Sequence, residues 1–356
     1  MSTINQQSAP QAEEQSPVLL ICPLTFSYHV AISETLASQG HEVTWWNDKA
    51  SMSTGYKLLL RLLPSVTRRW SERHYLRQIE ELANTPLRHI LVIKGEGLTA
   101  GIIRKLRGTF PHASLGLYLW DGVENVKGVE RLAPLFDSVS TFDLEDAHRL
   151  GWHYRPLFAR KVALNADVVA DKTFDWCFVG TVHSDRHRVI HRLRSHYGDA
   201  MRSFVFAYFQ SPVVLLARKL LDRTLWSAPA GTLSTTPMAA GEVAQVIAKS
   251  HAVLDVEHPR QRGFTMRTIE TLLAGKKLIT TNRHLLASNL FHPSRVCLID
   301  RMAPRVPAEF LRQTALPVDD SLRATYTCEG WARELLDLQI AGAEQRRRAE
   351  AERTFR

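Results

Sequence analysis

Short continuous apolar runs that alternate with helix-patterned segments are what most narrows the folds open to this chain. "PVLLICPL" at residues 17–24 is such a run. It is far too short to span a membrane, and it lacks the in-out alternation of a half-exposed strand, so it reads as a parallel strand covered on both faces. "SYHVAISETLASQGHEVTWWN" continues with a helix, a stop at Gln39-Gly40 and a second strand. "RHILVIKGEGL" is a strand ending in a Gly-Glu-Gly turn, "TAGIIRKLRGTFP" its helix, and "ASLGLYLWDG" and "FDSVSTFD" are further strands. Strand and helix in alternation imply an open parallel sheet.

The pattern lapses over "WHYRPLFARKVALNADVVADKTF", which contains a proline and little periodicity, and then restarts. "DWCFVGTVH" is a strand and turn, and "SDRHRVIHRLRSHYG" a helix with Ser184 or Asp185 at its N-cap. "SFVFAYF" is a strand, "SPVVLLARKLLDRTLW" and "GEVAQVIAKS" are helices, and "HAVLDVEH" and "RVCLID" are strands. The fold expected is α/β, with two Rossmann-like domains facing a cleft. The expected organisation is a disordered lead-in at 1–16, a first domain at 17–155, a linker at 156–173, a second domain at 174–320, and a helix with a polar tail at 321–356. A chain of 356 residues is long enough for two such cores.

The net charge of +9 suits nucleic acid, an anionic membrane or a phosphorylated small molecule, and by itself chooses none of them. No run approaches a membrane helix, and the polar, partly acidic start lacks the basic-then-apolar order of a secretory signal. Four well-separated cysteines without CxxC spacing read as reduced, buried thiols in a cytoplasmic protein. Basic and aromatic residues are scattered without a nucleic-acid module, so nucleic acid is set aside.

Chemistry concentrates in "QRGFTMRTIETLLAGKKLITTN", residues 261–282. Thr265 stands at a helix opening, whose unpaired N–H groups attract phosphate. Gly263 would let a ligand approach the backbone, and Arg267 would grip phosphate oxygens in a fork. Glu270 lies on the same helix face and would accept ribose hydroxyls. The plainer explanation is an Arg–Glu pair three residues apart on an ordinary helix. A second strand–turn–helix, "FVGTVHSDRHR", offers Gly180 and Thr181 to phosphate without the glycine spacing of a dinucleotide fingerprint. In the first half, Lys94 and Glu96 of "IKGEG" and Asp121 of "YLWDG" stand at strand ends, where Asp121 and Glu96 are candidate general bases. Asp121 is also an ordinary Asp-Gly turn residue. His29 follows the first strand, and such a histidine is more often structural. Two basic amphipathic stretches, residues 56–77 and 211–226, have the composition of membrane-surface helices. For 211–226 a packing helix with a solvated face is the favoured expectation.

With these residues in place, the chain resembles bacterial glycosyltransferases of the GT-B architecture, and among them the CgeB-like and capsule or lipopolysaccharide biosynthesis group. The likeness runs in order through "LASQGHEVTWW", "ILVIKGEGL", "LYLWD", "FDSVSTFDLEDAHRLGWHYRPLF" and "FDWCFVGT". Its most specific block runs from "LSTTPMAAGEVAQ" to "KKLITTN", and in all it covers residues 17–340. The resemblance implies a second domain that binds a nucleotide-sugar donor and a first that holds a glycan or lipid-linked acceptor. It puts diphosphate near Gly180, Thr181 and Arg267, ribose at Glu270, and the base around Thr235, Thr236 and Pro237. It implies no cofactor and no metal, with peripheral contact at the inner membrane. Many retaining members carry a second glutamate eight positions before the later one, and here that position is Arg262. A nucleotide-sugar epimerase, a pyruvyl transferase and a non-catalytic nucleotide-sugar-binding protein are the alternatives.

Overall fold

The computed structural model describes residues 16–49, 64–164 and 172–354, and side chains within that set apart from 64–68 and 354. The first sheet has six strands: β1 Ser16–Ile21, β2 His41–Trp46, β3 His89–Ile93, β4 Ser114–Leu119, β5 Ser138–Thr141 and β6 His153–Tyr154. Their order is β2-β1-β3-β4-β5-β6, and β1 pairs parallel with both β2 and β3, as β3 does with β4. Val18 to Cys22 are wholly buried, which is why this run carries no polar alternation. Helix Tyr28–Ser38 joins β1 to β2, and helix Ala100–Thr109 follows β3 with Thr99 as its N-cap, accepting from the Ile102 amide at 3.3 Å.

Of the basic stretch 56–77, residues 56–63 lie outside the described set, and the remainder belongs to helix Pro64–Leu82. That helix buries Ser71, Tyr75 and Ile79, spaced four apart on one face, and the Tyr75 hydroxyl donates to Asn47 O at 2.8 Å. It is a packing helix.

The second sheet also has six strands: β7 Phe174–Thr181, β8 Ser203–Tyr208, β9 Leu233–Ser234, β10 Ser250–Asp255, β11 Lys277–Thr280 and β12 Val296–Leu298. They lie in the order β12-β11-β10-β7-β8-β9, every neighbouring pair parallel. Its core stacks Trp176, Phe178, Val189, Leu193, Leu254 and Ile279. The periodicity of "SDRHRVIHRLRSHYG" forms helix Arg186–Tyr197, burying Val189, Ile190 and Leu193. Asp185 occupies its N-cap position without capping it, because the carboxylate pairs with Arg301 at 2.8 Å.

The chain divides into two compact units. One comprises Met1–Leu119, Val123–Ser140 and Ala332–Arg356, the other Trp120–Gly122 and Thr141–Trp331. Within the first unit, the part of helix Cys328–Thr354 that follows Trp331 packs so closely that a Cβ on Gly342 would lie 2.0 Å from Asp137 O. Only glycine fits there. The buried Asp137 carboxylate takes Arg346 at 2.7 Å and Arg107 at 3.1 Å. In the second unit Trp331, fully buried, lies 4.6 Å from the Phe158 ring.

Candidate functional site

Each sheet contains one point where the strand order reverses. In the second sheet the chain runs outward through β7, β8 and β9, then returns to lay β10 on the other side of β7. In the first it reverses between β1 and β3. Crevices outside the carboxyl ends of such strands are where open α/β sheets bind ligands, because loops diverge there and helix N-termini point in. Among the described residues, the non-glycine residues at positive φ are Phe26 (43°), Ser27 (60°), Lys94 (67°) and Ser184 (49°). Each lies just beyond the carboxyl end of β1, β3 or β7. Left-handed backbone at such residues costs about 1–3 kcal/mol each and gathers at functional loops. The strain thus falls on the strand ends that topology marks as ligand sites.

At the second switch point, β7 ends in Gly180-Thr181 and β10 in Asp255, so the loops that follow are neighbours. Arg186, 8% exposed, ties them together: its Nε donates to Val256 O at 2.6 Å and its Nη1 to Thr181 O at 2.8 Å. Burial lowers the affinity of this guanidinium for its proton, while Asp255 and Glu257 oppose that effect. Glu257 accepts from Arg301 Nη2 at 2.6 Å and from the Thr281 hydroxyl at 2.5 Å. His183, whose ring lies 5.7 Å from that of His258, is pushed down to about 3 by burial and by Arg186, so the imidazole is neutral at pH 7. The crevice has a mixed-charge floor whose cations Arg186 and Arg301 are held by backbone carbonyls and carboxylates.

The helix opening beside it is built as its sequence demands. Thr265 is the N-cap of helix Met266–Leu273 and accepts from the Thr268 amide at 3.0 Å. The Thr265 and Thr268 hydroxyls both donate to Asp255, which fastens the helix start to the end of β10. At the other end, Gly275 at φ 68° lets Lys276 N donate back to Thr271 O, closing the helix as a Schellman turn.

Two of the residues read from this segment behave differently from expectation. Gly263 does not offer open backbone: its N–H donates to Asp143 Oδ2 at 3.2 Å, and a Cβ would stand 2.5 Å from the Phe142 ring. The glycine is required by packing. Glu270, 2% exposed, accepts from Arg160 Nε at 2.7 Å and from Arg267 Nη1 at 3.3 Å, so both its oxygens are engaged by guanidinium groups. The plain i,i+3 pair is present, with a second arginine added. Arg262, at the position of the earlier glutamate, pairs with Glu145. Thr235, Thr236 and Pro237 follow β9, with the Thr236 amide donating to the Ser234 hydroxyl at 3.1 Å. Parallel pairing puts this loop at the same end of the sheet as Gly180 and Thr181, two strand spacings or about 10 Å away. The second unit therefore carries Gly180, Thr181, Thr265, Arg267 and the 235–237 loop beyond the carboxyl ends of its strands, while Gly263 is bonded to Asp143 and Glu270 to two arginines.

In the first unit, Glu96 follows β3 and sits 2.8 Å from Lys49 and 3.5 Å from Lys94. Burial alone would raise its carboxyl, but the two ammonium groups prevail and hold it below the ordinary glutamate value. A carboxylate so held is a weak base and a good acceptor for hydroxyl donors. Asp121 stands two residues beyond β4, half-buried, in the Trp120–Gly122 segment that groups with the second unit. His29 stacks on Trp45 at 4.5 Å, and its buried Nδ1 has no hydrogen-bond partner among the described residues.

Sequence reading passed over Asp48, which lies wholly buried beside the first switch point, with no hydrogen-bond partner for either carboxylate oxygen among the described residues. Its backbone carbonyl accepts from Gly97 N at 3.1 Å, and a Cβ on residue 97 would clash with that carbonyl at 2.2 Å. Burial pushes the Asp48 carboxyl up to about 6, against the pull of Lys49 and Lys94. The folded protein therefore binds this proton more tightly than the unfolded chain, whose carboxyl titrates at 3.8, and stability falls as pH rises from about 4 to about 6. Asp48→Asn is expected to flatten that slope and to add about 2–3 kcal/mol at pH 7. Urea denaturation between pH 4 and 8 measures it, and an unchanged slope contradicts it.

No family model matches this chain, and no curated protein matches it. Solved structures do. A glycosyltransferase involved in avilamycin A biosynthesis, AviGT4, is 15% identical, with a TM-score of 0.54 over 93% of this chain and 98% of that one. Anabaena HepE, solved in complex with UDP and glucose, is 12% identical, with a TM-score of 0.50 over 95% of this chain and all of the other. The fold is GT-B. Among the described residues no helix is long and apolar enough to cross a membrane.

Proposed function

We propose that this chain is a glycosyltransferase that moves a sugar from a nucleotide-sugar donor to a surface-polysaccharide or lipid-linked acceptor, in the manner of the CgeB-like and capsule or lipopolysaccharide group. The observation that carries the reading is the concentration of strained backbone at both switch points, with Arg267 at a helix opening beside the second. The GT-B fold shared with AviGT4 and with HepE, whose crystals held UDP and glucose, supports it.

The diphosphate would lie against the backbone of Gly180 and Thr181 and the helix start at Thr265. Arg267, about one-fifth exposed and in the first turn of that helix, is the cation we assign to it. That arginine and the helix N-terminus would stabilise the leaving diphosphate without a metal or cofactor. Ribose hydroxyls would share Glu270 with Arg160, and the base would rest by Thr235, Thr236 and Pro237. Of the candidate bases, Glu96 is paired with two lysines and suits orientation of an acceptor hydroxyl. Asp121 is the proposed proton acceptor.

Calorimetric titration of the full chain with UDP-, GDP- and CMP-linked sugars tests the reading. Saturable binding of at least one donor is expected, and a flat response to all three would remove it. Incubation with the bound donor alone separates transfer from epimerisation, since an epimerase changes the sugar without any acceptor.

A further inference from the structure

The stretch 211–226 departs from its expected form. Residues Pro212–Leu221 form a helix capped by the Ser211 hydroxyl, yet none of its residues is buried. Leu215 alone of them packs on a small core of Val182, Ala207, Phe209 and Leu225. The face turned away from that core carries Val213 (76% exposed), Leu216 (55%) and Leu220 (74%), and Leu221 (81%) and Trp226 (61%) extend it. Residues 213, 216 and 220 fall on one stripe of a helix, so this is one continuous surface. Contiguous exposed apolar residues of this size mark a binding surface.

The charges around the stripe indicate what it binds. Arg218, Lys219 and Arg223 are the cations of the stretch, and Asp222 is its only acid. Asp222 is turned inward: 8% exposed, it accepts from His187 at 2.8 Å, Arg188 at 2.5 Å and the Thr224 hydroxyl at 2.7 Å. Outwardly the element is therefore apolar and cationic. Lys219 Nζ lies 5.0 Å over the Trp226 ring, and the indole N–H donates to Lys219 O at 2.9 Å, which holds an amphipathic ring and a cation together at the helix end. An apolar stripe bordered by cations, with a tryptophan at its margin, is complementary to the headgroup–acyl boundary of an anionic bilayer.

We infer that helix Pro212–Leu221 and the turn to Trp226 form a docking surface for an anionic lipid membrane, with Val213, Leu216, Leu220 and Leu221 entering the acyl boundary and Arg218, Lys219 and Arg223 meeting lipid phosphates. This gives a location, on the second unit, to the membrane contact that the family resemblance implies. It requires no sugar transfer, so its test stands apart from donor binding.

Co-sedimentation of the full chain with phosphatidylcholine vesicles, with and without about 30% phosphatidylglycerol, is the experiment. Binding to the anionic vesicles only, weakening as salt is added, is expected. Leu216→Glu/Leu220→Glu should reduce it at least about tenfold, and Arg218→Gln/Lys219→Gln should reduce its salt dependence. All four side chains lie outside the core, so the thermal transition should be preserved, and Val213→Asp serves if the double variant does not fold. No binding to anionic vesicles, or equal binding by the glutamate variant, overturns the inference. So does a lipid-free dimer that the glutamate variant dissociates, because the stripe would then be covered by a second copy of the chain.

Discussion

Glu270→Ala is expected to destabilise the second unit by about 3 kcal/mol, the lower end of what breaking a buried ion pair costs. Glu270 is 2% exposed and accepts from Arg160 and Arg267, at 2.7 Å and 3.3 Å. Removing it leaves two guanidinium groups facing each other across a space that water reaches poorly. Both arginines keep some exposure, which sets the lower figure. Glu270→Gln should cost less, since the amide oxygen still accepts one of the two bonds. Urea denaturation followed by tryptophan fluorescence reads the difference. Equal midpoints for the parent and Glu270→Ala would mean that the triad contributes nothing to stability.

Gly263→Val is expected to be of similar size, about 2–3 kcal/mol, for a steric reason. A Cβ at 263 would meet the Phe142 ring at 2.5 Å and the Phe142 carbonyl at 2.8 Å, and the second contact is with backbone that cannot rotate away. The loop must shift, and with it Thr265 and the helix opening two residues on, so donor affinity should fall together with stability. A double-mutant cycle with Phe142→Ala divides the cost. If the ring is the main obstacle, Phe142→Ala/Gly263→Val will be little worse than Phe142→Ala. Additive losses would mean that the carbonyl dominates.

The sheets were legible because strands buried on both faces read as short unbroken apolar runs bounded by turn residues: Val18 to Cys22 and His89 to Ile93 are buried throughout. β9 was not, since two residues carry no periodicity. The local structure of the candidate site was legible in part. Thr265 and Arg267 were marked by the capping pattern and by position on the helix. Arg186 was hidden in a basic helix whose many arginines look alike, and only its bonds to Thr181 O and Val256 O single it out. Asp48 reads as a turn residue after "WWN", and its burial depends on Gly97, nearly fifty residues on. Gly263 and Glu270 also carry packing and ion-pair roles that the sequence does not show. A glycine that admits a ligand and one that admits Phe142 look the same in sequence, as do a carboxylate free for ribose and one held between arginines. The outward face of 211–226 shows the same limit, because a helix pattern fixes which residues share a stripe and not whether anything covers it.

The central claim is that a nucleotide diphosphate binds at the second switch point through Arg267. Titrating the parent and Arg267→Ala with the donor that binds best tests it most directly, with circular dichroism to confirm the fold of the variant. The account predicts affinity at least about tenfold weaker in Arg267→Ala, a loss of about 1.4 kcal/mol. Unchanged affinity in a folded variant would contradict it and move the nucleotide away from this helix opening.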